Sequence, residues 1–144
     1  MKFYTFFYLL LFALIFNGCA KSEPDAMFAQ PDNVVVIDHN AFASSKGSDY
    51  TIVNAAIKGD MLEVTLSAAG CNGNSFKAVL IDAGAIMESN PVQRTIKIDL
   101  AKSEDCQAMI QKKFVFDITK LRVDGMRAVA FNLYNWNKSL LYNY

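Results

Sequence analysis

Apolar residues first run unbroken along this chain and then alternate with polar ones. From Phe3 to Phe16 there is no charged residue; Lys2 precedes the run and Asn17-Gly18-Cys19 closes it. A positive start, an apolar stretch too short for a comfortable bilayer crossing and a small residue before the cut predict a secretory leader over residues 1–18. Residues 19–33 lose the pattern. Their two prolines and several acids predict a tether between the leader and whatever folds beyond it.

From Val34 the pattern is that of strands. Val34 to Ile37 is a β-branched run ended by Asp38-His39-Asn40, and Ser44 to Asp49 reads as a loop. Tyr50 to Ile57 and Met61 to Ala68 flank Lys58-Gly59-Asp60, a hairpin signal, and Leu62, Val64 and Leu66 alternate with Glu63, Thr65 and Ser67. Such alternation predicts one buried and one wet face. Phe76 to Asp82, Arg94 to Leu100, Phe114 to Ile118, Arg127 to Tyr134 and Leu140 to Tyr144 continue the series. The breaks between them fall at Ala69 to Ser75, Glu88 to Pro91, Val123 to Met126 and Asn135 to Lys138. One helix is predicted, over Ser103 to Ile110, from a serine in the capping position and acids in the first turn. The sum is an all-β fold: an antiparallel two-sheet sandwich, immunoglobulin-like or Greek key, of about 7–8 strands with one short helix, occupying residues 34–144.

Composition narrows the setting. Of the 14 basic residues only Lys2 precedes Cys19, whereas all 14 acidic ones follow it. Charge is therefore balanced in the exported part, and no basic field is present for nucleic acid. One domain with one core is expected from this length.

Phe16-Asn17-Gly18-Cys19 resembles the lipobox of bacterial lipoprotein precursors. The resemblance implies that Cys19 receives a diacylglycerol, becomes the first residue and is acylated, which gives the chain a membrane partner through its lipid. Lys21-Ser22-Glu23-Pro24-Asp25 is similar to the acidic export signal of Bacteroidetes-type surface lipoproteins. That similarity implies a place at the outer membrane, on its surface or its periplasmic face, with the surface favoured. The stretches around Cys71-Asn72-Gly73-Asn74-Ser75-Phe76, Asn90-Pro91-Val92-Gln93-Arg94 and Cys106 resemble small uncharacterised lipoproteins of the same group. So does the aromatic finish Asn132 to Trp136 and Leu141 to Tyr144. With Cys19 assigned to lipid, Cys71 and Cys106 are the thiols left in an oxidising setting and are expected to pair. Closing that loop stabilises by about 4 kcal/mol on the chain-entropy argument.

Candidate chemistry is sparse. His39 is the one histidine, but no Gly-x-Ser-x-Gly elbow accompanies it, and Ser44-Ser45 lie in a predicted loop. Asp38, His39 and Asp49 are a metal set on paper only, so no metal and no cofactor are expected. Glu63, Asp82, Glu88, Asp99, Glu104 and Asp105 supply carboxylates for a glycosidase-like pair, with none singled out. Tyr134, Trp136, Tyr142 and Tyr144 are candidates for a stacking platform, with core packing as the competing role. Arg94 is a candidate carboxylate binder that would otherwise pair with Asp82 or Asp99. The expectation is a non-enzymatic binding module meeting an envelope protein or glycan. The alternatives are a small hydrolase with a carboxylate pair or a protease-inhibitor-like domain.

Overall fold

A computed structural model describes residues 33–144 apart from position 48. The leader, Cys19 and the tether up to position 32 lie outside the described residues. Eight strands form two sheets. They are β1 (Val34–Ile37), β2 (Thr51–Lys58), β3 (Met61–Gly70), β4 (Lys77–Met87), β5 (Val92–Ala101), β6 (Ala108–Asp117), β7 (Ala128–Leu133) and β8 (Ser139–Asn143). One sheet has the order β1-β4-β5-β7-β8 and the other β2-β3-β6. The small sheet is antiparallel throughout. In the large one β1 runs parallel to β4 and β5 parallel to β7, so the antiparallel sandwich expected from alternation carries two parallel pairings.

The core follows from period two. Along β3 every second residue is buried, Leu62, Val64, Leu66 and Ala68 facing inward. Ile96 and Ile98 of β5, Phe116 of β6, and Val129, Phe131 and Leu133 of β7 meet them from the other strands. Gly59 turns the β2–β3 hairpin at φ +56° with no Cβ to oppose it. Tyr142 of β8 is fully buried and stacks on Phe131, ring centroids 6.0 Å apart.

The helix is not where the sequence predicts it. Residues 102–107 have no regular structure, and β6 begins at Ala108 and pairs with β3 over its whole length, from Gly70↔Ala108 to Met61↔Asp117. Of the residues that read as a helix start, Glu104 turns to the backbone of the 71–75 loop and the Ser103 N–H donates to Ser75 Oγ. A ten-residue ladder against β3 satisfies more backbone than a short helix could. The α-helix of the domain, α1 (His39–Ser44), follows β1 directly. Asp38 is its N-cap, with extended backbone and Oδ1 accepting the Ala41 N–H at 2.9 Å.

Candidate functional site

Helix α1 lies against the outer face of the large sheet beside β4, and what holds it there shapes a cleft. Lys97 of β5 points out of the sandwich under α1, with its Nζ donating to the Phe42 carbonyl at 2.6 Å and the Ser45 carbonyl at 3.1 Å. The ammonium also sits 4.3 Å from the Phe42 ring centroid and 5.0 Å from that of Tyr134. A lysine only 7% exposed is thus satisfied by two carbonyls and two aromatic faces, at the end of the helix where orphan carbonyls collect. Ser45 Oγ donates to Asp99 Oδ1 at 2.9 Å, a second fastening. Gly47 packs on Lys97 and Tyr134: a Cβ there would meet the lysine stem at 3.1 Å.

Between α1, the 45–50 loop and β5 lies a cleft of ≈ 380 Å³, lined by Ser44, Ser45, Lys46, Asp49, Tyr50 and Asp99 among others. A shallower cleft of ≈ 330 Å³ shares Asp49 and Tyr50 with it and continues to Ser67, Lys102 and Met109. Tyr50 lines both. Its hydroxyl donates to the Ile98 carbonyl at 2.7 Å, and burial pushes the phenol up to about 12. The groove so formed is polar, holds acids and a lysine together, and has the volume of a small-ligand pocket.

The expected site residues separate. Arg94 is buried with Asp82 between the sheets; its Nε and Nη2 donate to the two carboxylate oxygens at 2.9 and 2.8 Å. The Gly84 N–H adds a third bond to Asp82 at 2.7 Å. Arg94 is committed to this pair and does not face outside ligand. The four aromatics sit at opposite ends of the β7–β8 hairpin. Tyr142 and Tyr144 meet with tilted rings, centroids 4.8 Å apart, at one end, where Tyr142 Oη accepts from Arg122 and donates to Asp60. At the other end Trp136 is half-buried against the core and Tyr134 is 45% exposed beside Lys97. They make no common platform.

The carboxylates are distributed too. Glu63 joins Lys58 and Lys113 on the outer face of the small sheet, and Glu88 and Asp105 are exposed. His39 opens α1 and is exposed, while its neighbour Asp38 is spent on the cap. Cys71 and Cys106 are disulfide-bonded, Cα atoms 4.9 Å apart. Around this bridge Glu104 collects five hydrogen bonds. Oε2 accepts the N–H groups of Cys71 at 2.6 Å, Asn72 at 3.0 Å and Gly73 at 3.0 Å; Oε1 accepts the N–H and Oγ–H of Ser75 at 3.0 and 2.9 Å. These donors, Ser75 and Gly73 foremost, hold the carboxyl at about 2.

Sequence reasoning missed Lys97, the Ser45–Asp99 contact and the Glu104 clasp. Lys97 reads as a wet-face residue because nothing in the strand pattern shows that α1 covers that face. The signal that was available is Asp38, a capping residue three positions before Ala41.

Neither a protein-family model nor a curated protein sequence matches the chain. Among solved structures, the fold is similar to that of a protein of unknown function, DUF1344, from Bacteroides vulgatus. The match has TM-score 0.53 and 8% identity, and covers 78% of this chain and 56% of that one. A toxin-related designation from Parabacteroides distasonis aligns at TM-score 0.46 and 12% identity over 77% of this chain and 60% of that one. The chain spans less than two thirds of either structure's own length. What the Bacteroides vulgatus protein shares with this chain is the fold alone.

Proposed function

We propose that this chain is an exported lipoprotein anchored through Cys19, whose sandwich is a binding module that presents the α1 cleft to a glycan or protein of the envelope. The carrying observation is the cleft itself: Lys97 and Asp99 fasten α1 to the sheet and hold Ser45, Lys46, Asp49 and Asp99 around one polar cavity. Pre-organisation of this kind lowers the ordering cost of binding. The leader, the lipobox and the Cys71–Cys106 bond support the compartment.

One observation favours a second reading. Asp49 and Asp99 line the same cleft, the arrangement a hydrolase with two carboxylates would use. A glycan array probed with the domain and with Asp99→Asn separates the readings. Binding by the native domain, weakened by the substitution and without turnover of the bound glycan, is expected. Turnover that Asp99→Asn abolishes would replace the binding module with the hydrolase, and native binding that the substitution leaves intact would remove the cleft from the argument.

A further inference from the structure

The 71–75 loop is built as an anion site, and Glu104 is what fills it. Four backbone N–H groups and one hydroxyl converge on a single carboxylate, with three donors on one oxygen and two on the other. That two-lobed arrangement matches the flat pair of oxygens in a carboxylate better than a tetrahedral anion. Other groups of the loop and its exit are engaged as well. Asn74 N–H goes to Asn72 Oδ1 at 2.9 Å, and the Gly73 and Phe76 carbonyls accept from Lys112 Nζ at 2.8 and 3.1 Å. Lys112 thereby places a positive charge behind the loop. Gly70 keeps the space open: a Cβ there would lie 2.7 Å from Glu104 Oε2. Successive N–H groups facing one point form the concavity that binds anions elsewhere.

Glu104 is kept there by more than its hydrogen bonds. Cys71 is the first donor of the nest and Cys106 lies two residues beyond Glu104, so the bridge ties receptor and occupant together. The connection gives Glu104 a high effective concentration that a free carboxylate must overcome. Both cysteines are exposed and open to attack by a thiolate.

We propose that the 71–75 loop is a carboxylate-binding site whose resident is Glu104, and that reduction of Cys71–Cys106 by a dithiol lets an external carboxylate take the resident's place. The dithiol supplies two electrons and two protons and leaves as a disulfide; the Cys71–Cys106 bond breaks to two thiols. This site is separate from the α1 cleft and stands or falls without it.

The test compares sodium acetate with sodium chloride at equal ionic strength on the oxidised protein, the reduced protein and oxidised Glu104→Ala. Melting temperature and the amide shifts of Asn72, Gly73 and Ser75 are the readouts. Oxidised wild type is expected to respond to the two salts alike. Reduced wild type and Glu104→Ala are expected to gain a saturable, acetate-specific rise in melting temperature, with those three amides moving together. Should Glu104→Ala fail to fold, Glu104→Ser, which likewise withdraws the side chain from the loop, takes its place with the same expectation. Failure of the Glu104 variant to distinguish acetate from chloride overturns the carboxylate site, and a reduced wild type blind to acetate overturns the release.

Discussion

Asp82 and Arg94 are charges held between two sheets, and their worth lies in the bonds they satisfy. The carboxylate accepts two guanidinium N–H groups and the Gly84 N–H, so removing either partner strands the other in a site that is 7% and 0% exposed at the two side chains. Arg94→Ala is expected to cost about 3–5 kcal/mol in denaturant unfolding. The double change Arg94→Met with Asp82→Leu should recover much of that loss, because no charge is left unpaired; equal losses would mean the cost is steric. Tyr50 makes a prediction in pH. Its phenol sits at 10.0 when unfolded and is raised to about 12 by burial in the fold, so the folded state holds its proton more tightly. This contribution is intact below pH 10 and declines as pH climbs toward 12, where the unfolded chain ionises first. Tyr50→Phe should flatten that alkaline limb of the stability curve while losing the bond to Ile98 at every pH.

At the scale of elements, the disulfide and its loop carry the sharpest expectation. Cys71 and Cys106 are separated by 35 positions, and on the chain-entropy argument opening that loop costs about 4 kcal/mol. Cys71→Ser with Cys106→Ser should therefore lower the melting temperature by well over ten degrees (roughly 4 to 8 °C per kcal/mol). The intact mass of the native domain should fall two hydrogens short of the reduced value, and a full reduced mass would refute the bridge. The same loop shows why some of the fold was legible and some was not. Alternation alone placed β3, β5 and β7, since Leu62, Val64, Leu66, Val129, Phe131 and Leu133 reach the core as the period requires. The Lys58-Gly59-Asp60 signal placed the β2–β3 hairpin. The helix was misplaced because a serine followed by acids describes a supply of oxygens, and a sequence does not say whose N–H groups they will meet. In residues 102–107 those groups belong to a loop some thirty positions away. Pairings between strands distant in sequence, such as β5 with β7 inside the large sheet, and the cover that α1 gives Lys97, are long-range facts with no local signature.

For the whole molecule, position and architecture bear on each other. On the proposed anchor, a module whose small sheet, large sheet and α1 are fastened by one core and one bridge needs nothing from residues 20–33 but reach. Residues 20–33 would span at most about 3.3–3.6 Å each if extended, a distance of several tens of ångströms from a lipid headgroup to β1. A single acyl chain gives only marginal membrane attachment, and the fuller acylation that the proposed lipobox implies would make it stable. Cells expressing the native chain and given an alkyne palmitate should therefore yield a labelled, leader-free protein in the membrane fraction. Cys19→Ala should abolish the label and the membrane retention together, while leaving the melting temperature of the folded domain unchanged, because the buried core runs from Tyr50 to Tyr142. Recovery of unlabelled, uncut native chain from the cytosol would remove both the anchor and the oxidising compartment. The cleft beside α1 would then have to be explained by partners inside the cell.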